Sequence, residues 1–146
     1  MSFVLDLSKW SDKVKTNMDA IVRKVVIDVG SRVVEKSPVG DGLMWKSKPP
    51  PGYVGGRFRA NWQYGFNERT IGDLPDIDPS GGASTQRITM GALQSPSIGV
   101  HFLSNNLPYA KRLEEGWSTQ APQGMVTLTA IEFSNVADKA AKEVPK

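Results

Sequence analysis

The chain has 146 residues, of which 39% are hydrophobic and 23% charged, values typical of a single soluble globular domain spanning residues 1–146. It contains no cysteine, which excludes disulfides and thiolate metal sites and is compatible with folding in a reducing cytoplasm. A net charge of +3 gives little indication of nucleic-acid binding, and no segment has the pattern of a membrane span or a signal peptide.

The clearest predicted element is a helix over residues 8–35, capped by Asp6 or Ser8 and ended by Pro38. Its apolar residues recur at intervals of three and four and form one stripe: Val14, Met18, Ile21, Val22, Val25, Val29 and Val33. At 1.5 Å per residue this helix is roughly 40 Å long, which is long for a small domain. It is either an ordinary core helix or a helix that also contacts another subunit.

Two long loops are predicted at residues 39–56 and 68–83, both rich in glycine and proline. The first carries Trp45 and Tyr53. These aromatic side chains either face a protein partner or fold back and fix the loop to the domain. The aspartates of the second loop lack the later glutamate of a calcium-binding loop, so no metal site is predicted there.

Apolar and polar residues alternate between the two loops, which predicts a strand over residues 57–67 with one buried aromatic face. The apolar positions are Phe58, Ala60, Trp62, Tyr64 and Phe66. Arg57 and Arg59 fall on the polar face. They either face solvent or pair with carboxylates, within the chain or across an interface.

The second half of the chain is predicted to contain four further elements. Residues 84–93 fit a helix capped by Ser84 and also fit a strand, and we favour the helix. Residues 98–104 are predicted as a strand in which His101, the only histidine, has no second base or nucleophile beside it. A short helix from Pro108 to Gly116 and a closing apolar helix over residues 124–144 follow.

No pattern in the sequence indicates catalysis. The chain lacks a phosphate-binding loop, a metal-ligand cluster and a nucleophile elbow. Glu114 and Glu115 are adjacent on a helix and point in different directions. The arginines and aromatics of the predicted strand lie on opposite faces, which disfavours single-strand nucleic-acid binding. We therefore predict a protein that is not an enzyme and has no cofactor, and we keep DNA binding as a less favoured alternative.

Three blocks of sequence, in order, carry a resemblance to a known family. They are Ser37-Pro38-Val39 (first block), Gly56-Arg57-Phe58-Arg59-Ala60-Asn61-Trp62 (second block), and Asn106-Leu107-Pro108-Tyr109-Ala110 with Leu113-Glu114-Glu115-Gly116-Trp117-Ser118, Gln120-Ala121-Pro122 and Gly124-Met125 (third block). This set resembles the small neck, or head–tail joining and tail-completion, proteins of long-tailed bacteriophages and prophages. An insertion from Gly40 to Gly55 separates the first two blocks, which are nearly continuous in many relatives.

The resemblance implies an α+β fold, with a small, mostly antiparallel sheet flanked by a long N-terminal helix and a C-terminal helix. It implies a virion protein that self-assembles into a ring, expected to be a hexamer, between the head connector and the tail. Such a protein is in the host cytoplasm during assembly and meets genome DNA at most as it passes through the ring. A tail-terminator or head-completion protein of the same neck is the alternative.

We predict that the interface and structural residues are Arg57, Arg59, Asn61, Trp62, Asn106, Tyr109, Glu114 and Trp117. Arg57 or Arg59 is expected to pair with Glu114 or Glu115, within the subunit or across the ring. Tyr109 and Leu113 are expected to anchor the core, and Trp117 to lie at a subunit contact.

Overall fold

The residues of the predicted amphipathic stripe lie on one long helix. In the computed structural model, the other elements pack around this helix in an α+β fold. The structure describes residues 3–44 and 47–144. Its elements are α1 (Phe3–Lys36), a 3₁₀ turn (Gly42–Met44), α2 (Arg57–Ala60), β1 (Trp62–Phe66), α3 (Gly82–Gln94), β2 (His101–Asn105), α4 (Ala110–Glu114) and α5 (Val126–Glu143). The small antiparallel sheet and the long helices at both ends confirm the expected fold class. None of the described helices is long and apolar enough to cross a membrane.

Helix α1 begins five residues earlier than predicted, so Asp6 and Ser8 lie inside it instead of capping it. It ends at Lys36, two residues before Pro38, as expected. Because α1 has 34 residues, it is about 51 Å long.

Two helices pack on α1, and both run antiparallel to it. On one side, Ile88 of α3 lies against Gly30, and the carbonyl after α3, at Ser95, accepts a hydrogen bond from Arg23 at 3.2 Å. On the other side, ion pairs mark the course of α5. Glu132, in its first half, contacts Arg32 at 2.8 Å and Lys36 at 3.0 Å.

The core lies where α1, α3, the sheet and the start of α5 meet. Strands β1 and β2 are antiparallel, with Trp62 opposite Asn105 and Phe66 opposite His101. The buried core residues are Val33, Val34, Phe58, Trp62, Ile88, Leu107, Ala121 and Met125. Leu113 packs against them as predicted, whereas Tyr109 is partly exposed.

The predicted strand over residues 57–67 is only half right. Its first four residues form the single helical turn α2, in which the N–H of Ala60 donates to the carbonyl of Gly56 at 3.0 Å. The alternating pattern misled because the turn buries Phe58, Ala60 and Asn61 together instead of leaving one face polar. The other expected polar position, Gln63, is also buried, because the second loop covers it and accepts a hydrogen bond from its amide at Gly72.

Residues 82–94 form α3, which confirms the helix favoured over a strand. The predicted cap is wrong, because Ser84 is fully buried and donates to the carbonyl of Arg59 at 2.8 Å. Asp78 acts at this end instead and accepts from the N–H of Ala83 at 2.7 Å. Bonds from Ser80 and from the Ala83 N–H lower the pKa of Asp78, because they favour its charged form.

The later boundaries also shift. Strand β2 begins at His101 instead of residue 98, since Gly99 has a φ of 146° that breaks the extended run. Helix α4 begins at Ala110, two residues after the predicted Pro108, and ends at Glu114. Gly116, with a φ of 91°, follows as the predicted terminator, and the N–H of Trp117 donates to the Arg112 carbonyl at 3.2 Å. Helix α5 buries only Thr129, Val136 and Ala140, so much of its apolar surface is uncovered.

The contact between α1 and α3 yields a first prediction. A Cβ at Gly30 would lie 2.6 Å from Cγ2 of Ile88, which is buried. Gly30→Ala should therefore force the helices apart and lower the free energy of unfolding by about 1–3 kcal/mol, measured by urea denaturation.

The matched test is the same change in an Ile88→Ala background. Without the Ile88 methyl group, Gly30→Ala should become neutral or stabilising, since alanine favours a helix over glycine by about 1 kcal/mol. Equal destabilisation in both backgrounds would show that the close contact does not govern this site.

Candidate functional site

An open groove of about 690 Å³ lies beside the C-terminal end of α1. Four aromatic side chains contribute to its walls, together with backbone from glycines and polar residues near Trp117. The lining residues are Pro38, Val39, Gly40, Tyr53, Gly56, Arg57, Phe58, Tyr109, Leu113, Trp117, Ser118, Thr119 and Gln120. We call this the aromatic groove.

All three sequence blocks meet at the aromatic groove. The first block supplies Pro38 and Val39, the second supplies residues 56–58, and the third supplies residues from Tyr109 to Gln120. The fold thus brings together blocks that are spread from Ser37 to Met125, about three fifths of the chain.

The insertion between the first two blocks closes on itself. A Cβ at Gly55 would lie 1.9 Å from the carbonyl oxygen of Gly40, so these two backbones are in direct contact. Tyr53 packs at the same place, and its hydroxyl lies against Gly40. The first and second blocks are therefore neighbours in space. Tyr53 folds back onto the domain and still lines the groove, whereas Trp45 lies outside the described residues.

The walls of the groove differ in exposure. Phe58 is buried, and its ring centroid lies 6.2 Å from that of Tyr109 and 6.0 Å from that of Trp62. Partial burial raises the pKa of the Tyr109 hydroxyl, so it stays protonated. Trp117 is 71% exposed, and the Arg112 guanidinium lies 5.1 Å from its ring centroid. A large aromatic side chain held on a surface in this way is suited to protein contact.

One glutamine side chain fixes the far rim of the groove. The side-chain carbonyl of Gln120 accepts the N–H of Val39 at 3.0 Å, and its amide donates to the Val39 carbonyl at 2.8 Å. This pair ties the third block directly to the first. This role of Gln120 is not predictable from the sequence, because its partner is 81 residues away and no periodicity signals such a bond.

Within the chain, the predicted pairing of the arginines with Glu114 or Glu115 is wrong. Arg57 forms an ion pair with Asp73 at 2.6 Å, a residue that sequence analysis did not single out. Arg59 donates to three backbone carbonyls, those of residues 35, 37 and 79, at 2.7–3.1 Å. It lies in a helical turn against the end of α1, so its guanidinium is directed to backbone and not to the third block.

Glu114 instead caps α5. Its carboxylate accepts the N–H groups of Met125 at 2.9 Å, Val126 at 3.0 Å and Thr127 at 2.8 Å, and also the Thr127 hydroxyl at 2.8 Å. Partial burial acts to raise its pKa, but these hydrogen bonds outweigh that effect and hold the pKa below its ordinary value. The negative charge also suits the positive end of the helix dipole.

Three predicted residues are structural and inaccessible or half-buried. Asn61 is fully buried and bridges the carbonyl of Arg57 to the backbone of Leu74. Trp62 is buried in the core, and Asn106 donates to carbonyls of the second loop at residues 70 and 72. Asn61 and Asn106 therefore hold the second loop, and Trp62 belongs to the core.

The only histidine of the chain is held on both sides of its ring. His101 donates from Nε2 to the Ser97 carbonyl at 3.0 Å and accepts the Tyr64 hydroxyl at Nδ1 at 2.7 Å, so both ring nitrogens are engaged. Among residues 3–44 and 47–144, no three histidine or acidic side chains come together as a metal site.

Comparison with known proteins returned no match to a family, to a curated protein or to a solved structure.

The cap on α5 yields a second prediction. Glu114→Gln removes the charge and one acceptor oxygen, so the free energy of unfolding should fall by about 1 kcal/mol at neutral pH in urea denaturation. Glu115→Gln is the matched control, because Glu115 makes only an exposed ion pair with Lys111 at 3.9 Å and should change stability by less than about 0.5 kcal/mol.

The effect of Glu114→Gln should depend on pH. Because the folded state lowers the pKa of Glu114, its contribution is complete above the ordinary glutamate pKa of about 4.3 and is lost as the pH falls through the lower folded value. The gap between variant and parent should therefore narrow below about pH 4. A gap that stays constant down to the acid transition would contradict the capping role.

Proposed function

We propose that this protein is a non-enzymatic structural component of a bacteriophage neck that joins the head connector to the tail by assembling into a ring. One observation carries the proposal. The three blocks on which the family resemblance rests line a single aromatic groove, although they are separate in sequence. Blocks that meet at a shared open surface are best explained by binding of a partner there.

The groove suits a segment of a neighbouring neck protein. Its walls are mainly aromatic and aliphatic, while backbone groups and the Gln120–Val39 pair supply polar edges. Interfaces of this kind bury aromatic anchors at their centre and leave polar groups at the rim. The walls are fixed before binding by the bonds of Arg59 and Glu114, which lowers the entropy cost of docking.

The charges around the groove favour a protein partner over DNA. Arg57 is paired with Asp73, Arg59 is directed to backbone carbonyls, and Arg112 lies over the Trp117 ring. These guanidinium groups already have partners, whereas DNA binding needs cations aligned on phosphates. The paired charges support head-connector and tail proteins, and not the genome, as the partners in the proposed neck.

Loss of the protein should leave a specific defect in the phage that encodes it. Particles made without it should appear in electron micrographs as free full heads beside free tails. Supplying the protein in trans should restore joined particles. Normal joining in its absence would refute the proposal.

A point variant tests the groove itself. Trp117→Ala should weaken docking by about 2 kcal/mol, roughly thirtyfold, because an exposed aromatic anchor is lost. Complementation should then yield mostly unjoined particles, while thermal unfolding stays near that of the parent, since Trp117 is 71% exposed.

Ile71→Ala is the matched control, because Ile71 is 97% exposed and lies in the second loop, outside the groove lining. It should join particles normally. Equal activity of the two variants would exclude the aromatic groove as the docking surface.

A further inference from the structure

Helix α1 extends well beyond the helix that packs along it. The ion pair of Lys24 with Glu143, at 2.8 Å, marks the last turn of α5. The 21 residues of α1 before Lys24 span about 32 Å. The chain that follows α3 covers part of this length, because Ser97 contacts Asp19. Every residue from Ser11 to Thr16 is exposed.

The uncovered part of α1 continues the stripe that α5 covers. Ile21 and Val25 belong to the stripe and are partly buried, and the next members outward, Met18 and Val14, are 54% and 41% exposed. In the sequence Trp10 and Leu7 continue it at the same spacing. An apolar stripe on a helix end is normally covered by another element.

The apolar stripe of α5 has one edge that its own chain leaves about half exposed. Val126 and Phe133 are seven residues apart, so they lie on one side of the helix, and they are 49% and 51% exposed. Val126 also borders a shallow depression lined by Leu103 and Ala110. Val136 and Ala140, three and seven residues after Phe133, are buried, so Val126 and Phe133 form the exposed edge of the stripe that α5 buries.

We propose that the projecting end of α1 in one copy packs its Val14–Met18 stripe on the Val126–Phe133 face of α5 in the next copy. The contact extends an interface already present in the chain, because Val14 and Met18 lie on the face of α1 that, about five turns further on, carries Arg32 and Lys36, the partners of Glu132 in α5. The two patches are different surfaces, so each copy offers one of each. Head-to-tail contacts of this kind form a ring when the rotation between neighbouring copies closes. The inference rests on the proposed function in that it supplies the contact between ring subunits.

Cross-linking distinguishes this contact from contacts within a chain. From the Lys24–Glu143 pair, Val14 lies ten residues toward one end and Phe133 ten residues toward the other, because the helices are antiparallel. Their separation in one chain is therefore about 30 Å. A short bismaleimide reagent cannot span that distance, so any link between positions 14 and 133 joins two copies.

The chain has no cysteine, so single cysteines can be introduced without background. Val14→Cys and Phe133→Cys proteins are mixed, treated with the reagent in the presence and absence of purified tails, and analysed by denaturing gel. A covalent dimer that forms only in the mixture is expected. A mixture of Val14→Cys with Ile71→Cys is the matched control and should give none.

A charge substitution in the α1 stripe tests the same contact independently. Met18→Glu should convert the assembled protein to monomer in analytical ultracentrifugation, while Ile71→Glu should leave its mass unchanged. Both residues are exposed, so neither change should affect folding, which circular dichroism checks.

The outcomes separate this inference from the proposed function. If the protein assembles and particles join, but positions 14 and 133 do not cross-link or position 14 links to itself, the α1–α5 contact is wrong and the neck role stands. If the protein stays monomeric with tails and particles join without it, both fail.

Discussion

The structure depends on the buried junction at Ser37, the residue that follows α1. Its hydroxyl donates to the Val33 carbonyl at 2.7 Å and accepts the indole N–H of Trp62 at 2.7 Å. Its carbonyl accepts the Arg59 guanidinium at 2.7 Å from Nη2 and 3.1 Å from Nε. Ser37 is 1% exposed, so water does not reach this junction. A group that lost its hydrogen-bond partner here would stay without one. The junction therefore fixes the second block against the end of α1 and sets the position of the groove wall.

Elements with a strong local signal were predictable. The 3.6-residue period of α1 identified that helix, and Gly116 identified the end of α4, because each signal depends on the backbone preferences of nearby residues. The failures have a common cause in long-range contact. Residues 57–60 alternate like a strand, but the bonds from Arg59 to the Ser37 carbonyl and from the Ala60 N–H to the Gly56 carbonyl hold them in a helical turn.

The same reasoning applies to the site. Most of the residues that line the groove belong to the three sequence blocks. The roles of these residues depend on their bonding partners, which a sequence does not reveal. Glu114 and Arg59 were expected to pair as opposite charges. The free N–H groups at the start of α5 and the free carbonyls at the end of α1 bind them instead. Helix ends leave unpaired backbone groups that compete for charged side chains, and this competition is decided only once the ends are placed in space.

Helix α1 connects the two surfaces to which we assign contacts. Its C-terminal end carries the Ser37 junction and the groove, while its N-terminal end projects about 32 Å beyond the end of α5. A helix is stiff over this length, so the distance between the groove and the projecting stripe is fixed within one copy. If neighbouring copies are joined through that stripe, their grooves are held at a regular spacing and orientation. A partner in the neck then meets a set of grooves together, and weak docking at each one is strengthened by the high effective concentration of the others.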